Sequence, residues 1–472
     1  MAKRREIKAG IGYTLGNIMV KGITFVSLPL FARLLTTEQF GVFNTYIAYE
    51  EIIAIFIGLG MYGTIKNARY DFEDDLDKYI STLLLVSTST MGIIFMFLIL
   101  FQGFILNHTG LSITILIFMI LQSYGTSLLQ IFNARLALDY NYKKFLFISI
   151  LNTIGNIGIS LLLVLTVFSQ NREVGRIIGS ALPLIFIGIY IFITEGKKSK
   201  FYFDKTMARY SLLIGFPLVW HFLSQTIAAQ ADRIMLTYLK GPSETGIYSF
   251  IYSVAVILRV IYYSADNVWS VWFFSQMDKK DYHAIRNNSK KYILLITFIA
   301  ALMIVGSREI IMVMGSKDYW IGIDLFIPII IGIFLLFLYT IPAAVEYYYK
   351  KTKYIAKMTL LSAVLNIILN YFLIQKYSYM GAAITTMFSY FILFCGHWII
   401  SQKILKQNKI EKLFNINDFI IALLILIMVG VVVSLLNPYP LIKYLLLILI
   451  LAILFIFNKE LIKLSIHNIK NK

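Results

Sequence analysis

Fourteen apolar stretches, each long enough to cross a bilayer, follow one another along the 472 residues with only short polar segments between them. A hydrocarbon core of about 30 Å needs roughly 20 apolar residues per helical crossing. The stretches fall at 9–35, 41–61, 79–105, 112–133, 145–168, 175–194, 211–239, 246–273, 292–314, 321–346, 355–375, 380–402, 418–436 and 441–458. Within lipid, backbone N–H and C=O groups must be satisfied inside their own segment, so such a chain folds as a helix bundle. Charged residues make up 14% of it, against about 25% in soluble domains. The expected class is an all-α polytopic membrane protein of about 14 transmembrane helices. The basic start (Lys3, Arg4, Arg5, Lys8) runs into an apolar stretch too long for a signal-peptide core, and is read as a retained first helix.

Charge sets the orientation. With the N-terminus inside, thirty-two of the 43 Lys and Arg residues fall in inner segments and eight at outer ends, including Arg172 and Arg176. That asymmetry is the positive-inside pattern, and it places both termini in the cytoplasm. The +18 net charge then follows from topology and contact with anionic lipid, and calls for no nucleic acid. Cysteines introduced at Ser199 and Asn288 should escape membrane-impermeant reagents in intact cells, while one at Ser243 should react; the reverse pattern would overturn the orientation.

No phosphate-binding glycine loop, no Ser/His/Asp set and no Cys-x-x-Cys or His-x-Glu pattern stands out, so no catalytic residue, metal site or cofactor is expected. The single cysteine, Cys395, lies in an apolar run, and His221, His283, His397 and His467 are isolated in sequence. A membrane glycosyltransferase, polymerase or ligase would need a large outer loop for its catalytic groups, and the outer turns are a few residues each. The expected role is transport, not catalysis.

Two internal matches divide the chain. Leu35-Thr36-Thr37-Glu38-Gln39-Phe40-Gly41-Val42-Phe43 resembles Lys240-Gly241-Pro242-Ser243-Glu244-Thr245-Gly246-Ile247-Tyr248, and Leu151-Asn152 with Asn156 resembles Leu365-Asn366 with Asn370, leading to the turn glycines Gly175 and Gly381. The order and spacing imply two six-helix lobes, 1–205 and 206–410, related by a parallel pseudo-two-fold axis along the membrane normal, followed by two extra helices and a tail, 411–472.

Halves of this kind rock about a central site near the midplane. Span 1 lines up Thr14, Asn17, Lys21 and Thr24 on one face, and span 2 carries Glu50 and Glu51. Span 7 carries Gln230, Asp232 and Arg233, and span 8 lines up Tyr252, Arg259, Tyr263 and Asp266. A charge near the bilayer centre costs about 2.5–3.5 kcal/mol on insertion scales, so these groups face protein or a water-filled path. One explanation is mutual neutralisation: Lys21 with Glu50 or Glu51, Arg259 with Asp266, and Asp232 near Arg233. The other is substrate contact by Lys21, Arg259, Arg233, Asn17, Tyr252 and Tyr263, with Glu51, Asp266, Glu50 and Asp232 as candidates for coupling to Na+ or H+. Lys21 and Arg259 suit a lipid diphosphate, which needs cations in a low-dielectric cavity.

Leu28-Pro29-Leu30-Phe31-Ala32-Arg33-Leu34-Leu35-Thr36 with Glu38-Gln39-Phe40-Gly41, then Ala231-Asp232-Arg233-Ile234-Met235-Leu236 with Gly246-Ile247-Tyr248, then Leu365-Asn366, Asn370 and Tyr379-Met380-Gly381-Ala382-Ala383, together resemble the bacterial polysaccharide repeat-unit flippases of the O-antigen type. These belong to the multidrug/oligosaccharidyl-lipid/polysaccharide flippase superfamily, and the resemblance runs from about Gly10 to Gln402. It implies flipping of undecaprenyl-diphosphate-linked oligosaccharide across the bacterial cytoplasmic membrane, with membrane lipid and glycan polymerase machinery as partners. The extra pair at 418–458 looks more like the fourteen-span lipid II flippases. A multidrug or cation antiporter of the same superfamily is the other alternative, and would call for a net acidic cavity.

Overall fold

The computed structural model describes residues 2–410 and 413–436, and beyond these only 439, 441–445 and 448–449. The regular structure of the described residues is helical throughout. The spanning helices are α1 (Ala2–Leu34), α2 (Thr37–Gly58), α3 (Leu76–Leu100), α4 (Ile113–Leu138), α5 (Tyr142–Leu165), α6 (Arg172–Lys198), α7 (Lys205–Lys240), α8 (Pro242–Lys279), α9 (Tyr282–Val305) and α10 (Lys317–Tyr348). The run Thr352–Gln407 is far too long for one crossing, and it reverses at Ser378, whose φ is +50°. Its arms, α11 (352–377) and α12 (379–407), pack antiparallel. Ser362 Oγ donates to the Ser389 carbonyl at 3.0 Å and Asn366 Nδ2 to Thr386 Oγ1 at 3.4 Å. Gly381 lets the arms close, since a Cβ there would lie 2.1 Å from the Leu373 carbonyl oxygen. The last labelled helix is α13 (Ile416–Leu436).

Thirteen expected crossings are therefore present in order, and the all-α polytopic class holds. The fourteenth expected span, 441–458, and the tail beyond it lie for the most part outside the described residues. Side chains in the connections start several helices. Thr36, Asn141, Asp204 and Asp281 each accept a hydrogen bond from a backbone N–H in the first turn, satisfying a donor that the helix itself leaves open.

Packing divides the chain into two compact units, Met1–Ser249 and Phe250–Lys472, with the boundary inside α8. In the first, α5 and α6 form a close pair, α4 packs on α6 and α2, α1 lies along α5, and α7 lies along α2. The sequence repeat starts its second copy at α7; packing groups α7 with α2. In the second unit, the stretch Phe326–Leu338 of α10 is almost entirely buried, as its unbroken apolar sequence requires. The outward faces of α3 and α13 carry exposed Ile93, Met96, Phe97, Leu100, Leu424 and Met428, the surface that lipid covers. Lys443 is tied to Glu309 on the short helix Ser307–Met314 at 2.5 Å. Burial alone would raise the Glu309 carboxyl, but hydrogen bonds from Lys443 and Tyr444 win and hold it below its ordinary value.

Candidate functional site

In the first unit the polar groups gather along the seam between α2 and α7. The two helices run antiparallel and are bridged at three levels. Thr45 and Thr237 share a hydroxyl hydrogen bond of 2.6 Å, and Thr237 shares another of 2.7 Å with Thr245. Midway, Gln230 Nε2 donates to Glu51 Oε2 at 2.7 Å. At the far end, Gly60 meets Gly215; a Cβ on Gly60 would lie 2.6 Å from the Gly215 carbonyl oxygen. The first turn of α8 crosses the first turn of α2 through a reciprocal contact. A Cβ on Gly41 would lie 1.8 Å from the Pro242 carbonyl oxygen, and one on Gly246 would lie 1.8 Å from that of Thr37. Gly41 pairs with Gly246 and Thr37 with Pro242 under the sequence repeat, so the matched turns also touch each other.

The charges on this seam are individually engaged. Arg233 Nη1 donates to Gln230 Oε1 at 2.6 Å and Nε to Ser249 Oγ at 3.2 Å, so Gln230 relays between Arg233 and Glu51. Asp232 is buried and accepts from the Tyr248 hydroxyl at 2.6 Å. Glu50 is buried and accepts from Thr126 Oγ1 at 2.7 Å, while Ser123 donates to its backbone carbonyl. Lys21 and Asn17 are exposed on α1, and neither forms a hydrogen bond or ion pair with a described residue. The sequence alternative that paired Lys21 with Glu50 or Glu51 is thus not the arrangement found.

A further cation sits in this unit where the sequence reading had placed only an outer-end charge. Arg176, one turn inside α6, donates from Nη1 to Asn156 Oδ1 and Ser160 Oγ, both at 2.7 Å. Its guanidinium lies against two rings, 4.0 Å from the centroid of Phe31 and 4.4 Å from that of Phe43. The pattern that could have revealed it is Asn156 and Ser160 four residues apart on one face of the neighbouring span.

In the second unit, Arg259 on α8 is surrounded by phenols. Its Cζ is 5.3 Å from the Tyr263 ring centroid and its Nη2 3.5 Å from the Tyr263 hydroxyl. Tyr252, Tyr390 and Tyr262 also surround it. Tyr252 is buried, whereas Tyr263 keeps an exposed face. Asp266 forms no ion pair with Arg259, and Thr340 Oγ1 donates to the Phe337 carbonyl at 2.8 Å. A buried pair went unforeseen: His397 Nδ1 and Glu346 Oε1 are 2.7 Å apart, with both side chains fully enclosed. Among the described residues, no carboxylate comes within 4.0 Å of the charged groups of Lys21, Arg176 or Arg259.

Comparison with known proteins adds an independent line. A family described as "Polysaccharide biosynthesis protein" matches residues 7–269. An uncharacterized membrane protein of Haemophilus influenzae is 26% identical over 373 residues, covering 76% of this chain and 88% of that protein. A probable low-salt glycan biosynthesis flippase, Agl15 of Haloferax volcanii, is 21% identical over 389 residues, covering 81% and 80%. The fold is similar to the inward closed conformation of the lipid II flippase MurJ, with a TM-score of 0.73 at 20% identity, covering 96% of this chain and 100% of that one.

Proposed function

The chain belongs to the polysaccharide biosynthesis protein family, and from that premise we propose that it flips an anionic lipid-linked oligosaccharide across the cytoplasmic membrane by alternating access. The observation that carries this reading is the pair of cations well inside spanning segments, Lys21 and Arg259, neither matched by a carboxylate among the described residues. Two uncompensated charges near the bilayer centre would cost roughly 5–7 kcal/mol together, so they serve a water-filled path and the anion that uses it. A polyprenyl diphosphate linked to a glycan is such an anion, and undecaprenyl diphosphate is the carrier the family resemblance implies. A cavity selected for cationic drugs would carry the opposite balance.

Within this reading Arg259 and Lys21 hold the diphosphate, with Asn17 beside Lys21. Tyr263 and Tyr252 line the sugar path, and Arg233 positions Glu51 through Gln230. Glu51 and Asp266 exchange the coupling ion, H+ or Na+: Glu51 is bonded by the neutral Gln230 and Asp266 is in no ion pair with a described residue, so each can lose its charge without leaving a cation unpaired. Glu50 and Asp232, both buried and bonded by hydroxyls, are the secondary candidates. The protein acts as a transporter with both termini in the cytoplasm, and it delivers substrate to glycan polymerase machinery on the far side. Lipid II presents the same diphosphate, so the accumulating lipid-linked glycan identifies the substrate.

Deleting the gene should strip the surface glycan and leave its lipid-linked repeat unit in the cytoplasmic leaflet. Lipid-linked oligosaccharide should then be accessible to a glycosidase only in everted vesicles. Normal surface glycan with no accumulated intermediate would reject the flippase reading.

A further inference from the structure

We propose that the free edge of Arg176 is an anion subsite that takes the phosphoryl group of a lipid headgroup, where α1, α2, α5 and α6 meet. The guanidinium is held on several sides. The Phe31 and Phe43 ring centroids lie 4.0 and 4.4 Å from its Cζ, and Asn156 and Ser160 occupy the Nη1 end. The remaining edge carries the Nε and Nη2 donors. Neither makes a hydrogen bond with a described residue, and neither is among the polar atoms sealed from the surface without a partner. Those two N–H groups point in parallel and match two oxygens of one phosphoryl group, the geometry in which arginine binds oxyanions most strongly.

The neighbouring arginine provides the contrast. Arg172, one turn earlier on α6, donates from Nη1 to the Leu34 carbonyl at 2.7 Å and from Nε to the Ser169 carbonyl at 3.0 Å, so it closes the end of α1. Arg176 is held as firmly and has its better edge open. Phe31 and Phe43 also keep the cation in an apolar slot, where an oxyanion is bound more tightly than in water. On the orientation read from charge, the slot lies near the outer surface, at headgroup depth. The site itself stands on this geometry; only the identification of the phosphoryl source with the transported carrier rests on the proposed function.

The test uses the full-length protein purified in an uncharged maltoside detergent, followed by thermal unfolding with inorganic diphosphate against sodium chloride of equal ionic strength. Wild type should show a saturable rise in Tm with diphosphate, as any ligand confined to the folded state produces. Arg176→Gln should lose the rise and Arg176→Lys should keep a smaller one. Should Arg176→Gln fail to fold, Asn156→Asp carries the test. That change places a carboxylate against Nη1, preserves the packing, and should abolish the response by neutralising the cation. Replacing diphosphate by phosphatidylglycerol mixed into the micelles separates the sources: a response to diphosphate alone supports a carrier-type headgroup, and an equal response to both supports lipid phosphate in general. No saturable rise in wild type, or one unchanged in Arg176→Gln or Asn156→Asp, overturns the subsite and assigns Arg176 to helix pinning. Surface glycan is read separately, so failure of the transport reading leaves this result standing.

Discussion

Arg259→Ala is expected to remove most surface glycan while the protein still inserts at wild-type level. Deleting a charge from a spanning segment eases insertion, so a lower yield is not the expected cause. The side chain is surrounded by Tyr263, Tyr252, Tyr390 and Tyr262, with no carboxylate beside it. Its loss therefore leaves no buried anion behind, and the effect reports on the missing cation. One charge-assisted hydrogen bond to diphosphate is worth about 1.5–3 kcal/mol, or roughly 10- to 150-fold in substrate binding. Arg259→Lys should recover part of the activity, since charge returns without the planar fork. Lys21→Ala should behave similarly. The double change Arg259→Ala with Asp266→Ala decides between contact and neutralisation. Asp266 forms no ion pair with Arg259, so the double variant should remain inactive. Recovery of surface glycan at equal protein level would reduce Arg259 to a partner of Asp266.

Much of the fold was legible because lipid imposes a length on every crossing. The α11–α12 reversal was legible because two apolar stretches, 355–375 and 380–402, each suffice for a crossing, and the turn glycine Gly381 stands where the arms must close. The repeat matches Gly41 with Gly246 in sequence. It carried no information that the two turns touch, because correspondence in sequence is not contact in space. The charged residues stood out by their cost in lipid, but their partners did not. Gln230 bonds both Glu51 and Arg233, a relay between α2 and α7 that no single-helix face reveals. His397 was read as isolated because Glu346 lies fifty-one residues before it in the chain, on another helix. In sequence Arg176 stands with Arg172 as an outer-end charge; only the fold shows that Arg172 closes α1 while Arg176 lies against the Phe31 and Phe43 rings.

Gly41→Ala should rank with Gly246→Ala as the most destabilising single methyl group added at a glycine of the first unit. The added carbon would lie 1.8 Å from the Pro242 carbonyl oxygen and 2.9 Å from the Gly246 nitrogen. Both obstacles are backbone, so no rotamer change relieves them and the first turns of α2 and α8 must separate. Overpacking typically costs 1–3 kcal/mol, and a clash of backbone against backbone belongs at the upper end of about that range or beyond it. Separation would also stretch the hydroxyl bond between Thr37 and Ser243 and the one between Thr45 and Thr237. Gly246→Ala should match it, because its added carbon meets the Thr37 carbonyl at the same distance. The double variant should fall short of the sum, since helices already parted by one methyl group have room for the second. Gly158→Ala is the control. It lies within α5 with nothing within 4 Å of the added carbon, so helix propensity alone should act and stabilise by about 0.5–1 kcal/mol. Thermal unfolding of the detergent-purified full chain reads all four variants. A Gly41→Ala protein as stable as Gly158→Ala would mean that the two turns do not meet in the membrane.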